Sequence, residues 1–333
     1  MIINATHIGK NLDGIGRFSL ILAKYFIKHK ANVIINKSAT IHFTKEELDK
    51  LKVVSDSLSP DNGFKGHLKR LAFTNKLRGK VLNLSQLEIS FFNKNQIVVV
   101  HDIIPLLFPT FHKKQYHFFK YILPWILKRR VKHIVTVSEH TKELLVNIYG
   151  IDESKISVIY NGVDIECKEM QKENYFLFVG RDSPTKNIDK LIEAFKLANT
   201  KDAKLILAGV KRDIDDKNIK ALGYVDDKEL KELYAKAKYF IFPTLYEGFG
   251  FPAVEAMSCK CATIVSNVGS LPDICRDGAL YVEPNSVEDI AKNIEKIIKD
   301  ENLYANLVNR GYKISKEYSW DRAFSKYKEL LAL

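Results

Sequence analysis

The chain has 333 residues, 28% of them charged and 46% hydrophobic, and this length predicts two domains of roughly 150 residues rather than one core. Sixteen Gly and nine Pro exclude a collagen-like or Gly/Pro-rich disordered chain. The net charge of +12 comes entirely from residues 1–168, which hold 26 basic and 14 acidic side chains against 26 of each in residues 169–333. This asymmetry indicates an anionic partner for the first half alone: nucleic acid, a membrane surface or a phosphorylated substrate.

The four cysteines are too few for a disulfide-stabilised scaffold of this size, and we expect them to be free thiols in a reducing compartment. They are Cys167, Cys259, Cys261 and Cys275. The Cys-x-Cys pair has no nearby histidine, so we expect no metal site there. The N-terminus lacks the basic start and apolar run of a signal peptide. The most apolar stretch, 97–108, is too short to span a bilayer. Together these features predict a cytoplasmic protein.

Strands and helices alternate along the first half, a pattern typical of parallel α/β sheets. Residues 2–8 predict a buried strand, followed by a Gly-containing loop and a helix from about Arg17. Further strands are predicted at 31–36, 52–55, 80–84, 97–102 and 133–138, and residues 155–164 predict the last strand of this half and the turn that follows it.

The second half repeats the alternation after a polar segment at 168–174. We place a first domain over 1–170 and a second over 171–317. Strands are predicted at 176–180, 204–209, 239–243 and 262–266, a turn near Gly223, and helices at 187–198, 227–237, 252–258 and beyond 286. Two doubly wound α/β domains in tandem explain this order, and their ligands should bind beyond the carboxyl ends of the strands.

The most informative motif is Glu-Gly-Phe-Gly-Phe-Pro-Ala-Val-Glu at 247–255. Gly248 and Gly250 let the backbone approach a ligand, and the helix that Pro252 opens offers free amides to an anion. Carboxylates at Glu247 and Glu255 can accept hydrogen bonds from sugar hydroxyls. A phosphate site flanked by such carboxylates suits a nucleotide sugar, whereas the motif alone would also fit an ordinary strand–turn–helix.

A second loop, VGRDSPTKNI at 179–188, follows another predicted strand and should emerge at the same sheet edge. Arg181 and Lys186 would bring two cations towards the anion site, where they could stabilise a diphosphate leaving group. An ordinary basic turn is the alternative for either cation alone.

With these motifs on one edge, the second half closely resembles the retaining glycosyltransferases of family four. The resemblance lies in VGRDSPTKNIDKLIEAF, LILAG, GYVDDKELKELYAKAKYFIFPTLYEGFGFPAVEAMSC, SNVGSLPDIC, YVEPNSVEDIA and the terminal YSWDRAFSKYKELL. It implies the GT-B fold: two Rossmann-like doubly wound domains, an interdomain cleft, and a C-terminal helix at 318–333 that crosses back to the first domain. The first half would bind the acceptor and the second the nucleotide-sugar donor.

The resemblance also implies roles for individual residues of the second half. Arg181 and Lys186 would bind the donor diphosphate, and Glu255 the ribose hydroxyls. Glu247 would contact the donor sugar as a catalytic residue, with backbone contacts from Gly248, Phe249 and Gly250. One departure from the family is Lys260, which stands where Gly usually ends the helix, so we expect it to adopt a conformation that suits Gly.

In the first half, the matching pieces are HDIIPL at 101–106, TVSEHTKELL at 136–145 and VIYNGVD at 158–164. His101 would face the donor sugar as a second catalytic residue. Gly14, Gly16 and Arg17 would face the donor or the acceptor. As a dinucleotide fingerprint this Gly loop fails, because Ser19 stands where the third Gly belongs, and this disfavours a nicotinamide dehydrogenase.

The segment 113–132 holds seven basic residues and no acidic one, interleaved with aromatic and aliphatic residues. This composition is typical of a helix at an anionic membrane surface. The alternative is a core helix with solvated cations, and Pro124 would kink either one. No nucleic-acid motif accompanies the segment, so we expect no nucleic-acid partner. The membrane-facing candidates are Trp125, Lys128, Arg129 and Arg130.

The sequence thus predicts a GT-B hexosyltransferase that moves a sugar from a GDP- or UDP-sugar to a glycan or lipid-linked acceptor with retention. The resemblance implies no cofactor and no metal ion. The acceptor half would lie on the cytoplasmic face of the membrane in polysaccharide assembly. Two alternatives stay open: a sugar-nucleotide epimerase of the same fold, and a non-catalytic partner subunit of a transferase complex.

Overall fold

The computed structural model describes residues 1–165 and 167–332. The chain forms two compact units, one made of Met1–Asn161 with Asp321–Leu333 and the other of Gly162–Trp320. Each unit is a parallel sheet with helices packed against it, which confirms the expected α/β class. The main segment of the first unit ends at Asn161, nine residues before the expected boundary at 170.

The first unit contains a seven-stranded parallel sheet in the order β3-β2-β1-β4-β5-β6-β7. The central strands are wholly buried, as expected of a sheet covered on both faces. The strands are β1 (Ile2–Asn4), β2 (Asn32–Asn36), β3 (Leu51–Val54), β4 (Val81–Asn83), β5 (Gln96–Val100), β6 (Val131–Thr136) and β7 (Ile156–Val158).

Its longest helix, α1 (Gly14–Lys28), begins where the Asp13 carboxylate accepts a hydrogen bond from the Gly16 amide. Phe18, Leu22 and Phe26 recur every fourth residue and are buried. The other helices are α2 (Lys45–Leu48), α3 (Gly63–Thr74), α4 (Ile104–Leu107), α5 (Lys113–His117), α6 (Leu123–Arg129) and α7 (Glu139–Asn147).

The second unit contains a six-stranded parallel sheet in the order β10-β9-β8-β11-β12-β13. Its strands are β8 (Glu173–Val179), β9 (Lys204–Ala208), β10 (Ile219–Gly223), β11 (Ala237–Phe242), β12 (Ala262–Ser266) and β13 (Ala279–Val282). Its helices are α8 (Ile188–Leu197), α9 (Asp227–Lys236), α10 (Phe251–Ser258), α11 (Leu271–Cys275), α12 (Val287–Lys299) and α13 (Glu301–Ser315).

The last helix, α14 (Trp320–Leu331), belongs to the first unit from Asp321 onwards. The Tyr25 hydroxyl donates a hydrogen bond to the Asp321 carboxylate at 2.9 Å. Phe324 packs edge-on against Phe26, with ring centroids 5.1 Å apart. Helix α14 therefore extends the hydrophobic core that α1 forms in this unit.

Two predicted elements differ from the structure. The strand expected at 2–8 ends at Asn4, because the Asn36 side-chain amide binds the carbonyls of Thr6 and Ile8 at 2.7 Å and holds that segment outside the ladder. The turn expected near Gly223 is the end of β10, an edge strand that pairs only with β9 among the described residues. Its short sequence, IKALG, lacks the β-branched run that marks the central strands.

The expectation of four free thiols is wrong, because Cys167 and Cys259 form a disulfide with Cα atoms 5.3 Å apart. They lie 92 positions apart in sequence, and they meet where the segment leading into β8 passes the C-terminal end of α10. The sequence argument for a reducing compartment therefore fails. Cys261 and Cys275 are free, and burial raises the pKa of their thiols to about 11 and about 12.

Candidate functional site

Both sheets have a point where the strand order reverses, and ligands of doubly wound folds bind beyond the carboxyl ends of the strands at that point. In the second unit the point lies between β8 and β11. Arg181 and Lys186 follow β8, and Glu247 follows β11. The structure therefore places the cations and the first carboxylate of the predicted site on neighbouring loops.

Lys186 and Glu247 are in direct contact through an ion pair between Nζ and Oε1. Thr244 steadies this carboxylate, since its hydroxyl lies 3.1 Å from the same oxygen. The Lys186 ammonium also lies over the Phe242 ring, 4.8 Å from its centroid. The two side chains keep 20% and 14% exposure, so a ligand at the sheet edge can reach them. Arg181 is exposed on the same loop.

The Gly-rich turn after β11 leads directly into α10. Gly250 caps the helix with a φ of +87°, and a Cβ there would lie only 2.6 Å from a Leu271 methyl group. Phe249 is buried, with its ring edge-on to Tyr318 at 5.6 Å. Gly248 and Gly250 therefore bring backbone amides to the start of α10, while Phe249 anchors the turn.

Glu255 lies one turn into α10 and is only 4% exposed. The Tyr234 hydroxyl donates a hydrogen bond to its Oε2 at 3.0 Å. The two carboxylates of the motif thus differ, because Glu247 binds a cation in the turn and Glu255 is held from the interior by a phenol.

Helix α10 ends in a Schellman motif, in which Cys261 N donates to Ala256 O and Lys260 N to Met257 O. Lys260 occupies the left-handed position with a φ of +57°, which confirms the expectation drawn from its place in the sequence. The departure from Gly affects the end of α10 opposite to the candidate site.

Sequence reasoning missed two supports of this edge. Ser270 binds the Glu247 carbonyl through its amide at 3.2 Å and its hydroxyl at 3.0 Å. Asn187, at a φ of +58°, donates its side-chain amide to the carbonyls of Pro243 and Pro284. The position of Asn187 between a basic turn and a helix could have predicted this residue's conformation, because Asn tolerates the left-handed region.

In the first unit, His101 follows β5 and is only 5% exposed. Burial lowers the pKa of its imidazole to about 4, so the ring is neutral near pH 7. Its Nε2 lies 2.9 Å from the Leu84 carbonyl. A carbonyl can only accept, so Nε2 carries the proton and Nδ1 is left as an acceptor. The predicted loop residues Gly14, Gly16 and Arg17 form the first turn of α1 in the same unit.

Residues 113–129 form one interrupted helix, in which a π-helical turn at Phe118–Ile122 joins α5 to α6. Pro124 lies just beyond that turn, where the kink was expected. The inward side chains Phe119, Leu123, Ile126 and Leu127 belong to the core. The outward side chains Tyr121, Ile122 and Trp125 are 59%, 40% and 47% exposed.

The basic residues that follow lie on that outward surface. Lys128 and Arg129 are exposed. Arg130 is half-buried and places its guanidinium over the Trp125 ring, 5.4 Å from the centroid. Core packing and an exposed basic-aromatic face therefore coexist in this one helix. Over the part of the chain that the structure describes, no helix combines the length and apolar character needed to cross a bilayer.

Two family models match the chain, one for each half. The model described as "Glycosyltransferase Family 4" matches residues 12–167, and the model "Glycosyl transferases group 1" matches residues 166–314. The second match contains every candidate residue of the second unit.

Two curated relatives carry O-antigen names. The O-antigen chain mannosyltransferase RfbU of Salmonella typhimurium is 36% identical over 235 residues, which cover 65% of this chain and 65% of that protein. The O-antigen chain mannosyltransferase B of Escherichia coli is 31% identical over 255 residues, which cover 68% of this chain and 67% of that protein. The chain spans about two thirds of the length of each of these relatives.

Solved structures match the whole chain at low identity. The Anabaena protein HepE, crystallised with UDP-glucose, superposes with a TM-score of 0.79 at 16% identity, covering 100% of this chain and 99% of that one. Sucrose-phosphate synthase from Thermosynechococcus elongatus gives 0.77 at 17% identity, covering 99% and 98%. At these identities the likeness shows the fold, which is the GT-B fold.

Proposed function

We propose that the chain, which belongs to glycosyltransferase family four, transfers a hexosyl residue from a nucleotide-diphosphate sugar to a glycan or lipid-linked acceptor. The observation that carries this proposal is the Lys186–Glu247 pair at the reversal point of the second sheet, beside the Gly250 cap of α10. The names of the two O-antigen relatives favour a mannosyl donor.

The second unit supplies positive charge for the leaving diphosphate. Arg181, Lys186 and the N-terminal amides of α10 all lie at one sheet edge, and fixed donors of this kind stabilise the negative charge that develops as the glycosidic bond breaks. These groups can neutralise the diphosphate without a divalent cation, so we propose that transfer needs no metal ion.

The carboxylates of the motif hold the neutral parts of the donor. Glu255, oriented by Tyr234, accepts hydrogen bonds from the ribose hydroxyls, a geometry that a carboxylate can serve with both oxygens. Glu247 has two tasks, because it holds Lys186 near the diphosphate and offers its other oxygen to a sugar hydroxyl. Backbone amides at Gly248 and Gly250 complete the contacts.

The neutral His101 suits the donor sugar better than a cation would. Its Nδ1 accepts a hydrogen bond from a sugar hydroxyl, and the ring adds no positive charge beside an anomeric carbon that itself becomes positive in glycosyl transfer. Retention of configuration follows from the family resemblance.

The first unit would bind the acceptor, with Gly14 and Arg17 at the start of α1 contacting the acceptor or a phosphate and Gly16 contacting the donor. The outward face of 113–130 would hold this unit on the cytoplasmic surface of a membrane, since exposed aromatics beside lysine and arginine bind anionic headgroups. A lipid-linked saccharide at that surface is the acceptor that fits such an arrangement.

Transfer assays with a panel of GDP- and UDP-hexoses and lipid-linked saccharide acceptors test the proposal. We expect Lys186→Ala and Glu255→Ala each to lower transfer at least about tenfold, which corresponds to about 1.4 kcal/mol of transition-state stabilisation. Lys190→Ala is the matched control, because its ammonium binds the Asn285 carbonyl instead. Near-normal turnover in either site variant contradicts the assignment, and isomerised donor formed without acceptor indicates an epimerase.

A further inference from the structure

A buried charged cluster occupies the reversal point of the first sheet, between β1 and β4. His7 follows β1, and Glu88 lies in the turn after β4. Arg70 reaches the same place from α3. The proposed transfer chemistry uses none of these three side chains, although they lie where a doubly wound domain normally binds its ligand.

The Glu88 carboxylate is the centre of the cluster and is fully buried. Its Oε2 lies 2.5 Å from His7 Nδ1, and its Oε1 lies 2.8 Å from Arg70 Nε. Burial alone would raise the pKa of Glu88, but His7 and Arg70 outweigh it and hold the pKa below its usual value. Arg70 is fixed in turn by the Leu58 carbonyl, 2.8 Å from Nη1.

His7 connects this carboxylate to helix α1. Its Nδ1 faces the Glu88 carboxylate, and its Nε2 lies 2.6 Å from Ser19 Oγ, within hydrogen-bond distance. Ser19 is fully buried in the second turn of α1. The neighbouring Phe18 packs edge-on against the His101 ring, with centroids 4.6 Å apart.

The turn that carries Glu88 also holds His101. The Leu84 carbonyl lies against His101 Nε2, and the Gln86 side-chain oxygen accepts the His101 amide at 3.3 Å. One short segment, residues 84–88, therefore binds His101 directly and reaches α1 through His7. Both paths end at groups that the proposed function places beside the substrates.

We propose that Glu88 and His7 are positioning residues for sugar transfer, which fix the His101 ring and the first turn of α1 in one arrangement. The proposal rests on the proposed function, because it assigns no new reaction. A buried ion pair contributes little net stability, since the loss of hydration offsets its attraction, and its better-supported use is to specify one structure.

Two isosteric substitutions separate the contacts of His7. In His7→Asn the side-chain amide can take the place of Nδ1 beside Glu88 but cannot reach Ser19, and in His7→Gln it can take the place of Nε2 beside Ser19 but loses the contact with Glu88. Ser19→Ala removes only the hydroxyl. We expect each variant to lower kcat about tenfold, because small displacements of reacting groups slow catalysis strongly. The KM for the nucleotide sugar should stay within about twofold, because the donor-binding groups lie in the other unit.

A double-variant cycle tests whether His7 acts through Ser19. If it does, His7→Asn with Ser19→Ala loses no more activity than either single variant. His133→Asn is the matched control, since His133 makes the same kind of contact with Ser157 Oγ, at 2.9 Å. This contact joins β6 to β7, the last strand of the sheet, away from the reversal point. His133→Asn should leave kcat unchanged.

Thermal unfolding of each variant shows whether it is folded under the assay conditions, and Ser19→Ala is the mildest change if the histidine variants do not fold. A normal kcat in folded Ser19→Ala would overturn the proposal, as would a higher donor KM at normal kcat. Multiplicative losses in the double variant would also overturn it. If the unmodified protein transfers no sugar from any donor of the panel, the proposed function itself fails.

Discussion

The two sheets reverse their strand order in the same way, yet the charged groups at the two reversal points differ in burial. In the second unit, Lys186 and Glu247 keep 20% and 14% exposure. In the first unit, the side chains of His7, Arg70 and Glu88 are 8%, 6% and 0% exposed. The ion pair of the second unit therefore keeps access to solvent, whereas that of the first unit is enclosed within the fold.

The difference in burial predicts that the two ion pairs contribute differently to stability and to function. A charge that keeps access to water can lose its partner at small cost, whereas a buried charge that loses its partner costs several kcal/mol. The same topology can therefore give a binding edge in one unit and a structural anchor in the other. The following substitutions test whether the two units differ in this way.

The largest contrast is expected between the two carboxylates. Glu88→Ala should lower the unfolding free energy by about 3–5 kcal/mol, because it leaves the buried Arg70 unpaired. Glu247→Ala should lower it by no more than about 1 kcal/mol, because Lys186 can turn to water, while transfer falls sharply. Scanning calorimetry and a transfer assay on both variants measure these effects. Equal losses of stability would remove the distinction between the two edges.

Acid should destabilise the first unit through His101. Its pKa is about 4 in the folded protein and about 6.5 in an unfolded chain, so the unfolded state binds the extra proton. The free energy of unfolding therefore falls as the pH is lowered from 6.5 towards 4. The loss amounts to about 3 kcal/mol at 1.36 kcal/mol per pKa unit. His101→Gln should show a flatter stability profile between pH 6.5 and 4 in urea titrations. An unchanged slope would mean that His101 titrates normally.

We expect the outward basic face of residues 113–130, in the first unit, to bind anionic membranes, and we expect no such binding from the second unit. Replacing Lys128, Arg129 and Arg130 with Ser should weaken binding to anionic vesicles at least about tenfold, since each nearby cation contributes about 1 kcal/mol. The matched control replaces the exposed Lys217, Lys220 and Lys228 of the second unit with Ser. Co-sedimentation with phosphatidylglycerol vesicles measures both, and equal weakening would indicate only the effect of net charge.

The smallest effect is expected at the far end of α10. Lys260→Gly should stabilise the second unit by about 0.5–1 kcal/mol, because Gly adopts the left-handed conformation without strain but is more flexible when unfolded. Transfer should be unchanged, because the proposed donor site lies at the opposite end of the helix. A matching loss of transfer would show that the two ends of α10 are coupled.

The sequence predicted the second unit better than the first because its motifs are local. The Gly turn, the Pro-started helix and the left-handed Lys260 depend on neighbours in the chain, and periodicity located most strands within a few residues. Predicting the direct contact between Lys186 and Glu247 required the order of the strands. The motifs indicated only that the two loops lie at the same end of the sheet.

The disulfide and the buried cluster, which sequence reasoning missed, depend on distant contacts. The Cys167–Cys259 disulfide closes over 92 positions. The Glu88 cluster gathers side chains from α3 and from the segments after β1 and β4, which no spacing rule connects. His7, with no motif around it, gave no signal of its buried partner. Tertiary packing determines which of these side chains meet, and a single sequence does not show that packing.

Calorimetric titration with the donor tests the central claim most directly, since the claim is that the edge between β8 and β11 binds a nucleotide-diphosphate hexose. The titration compares the unmodified protein with Lys186→Ala and Lys190→Ala, using the donor that supports transfer. We predict an affinity at least about tenfold weaker for Lys186→Ala, about 1.4 kcal/mol, and an unchanged affinity for Lys190→Ala. Equal affinities for all three proteins would contradict the assignment of the donor site to this edge.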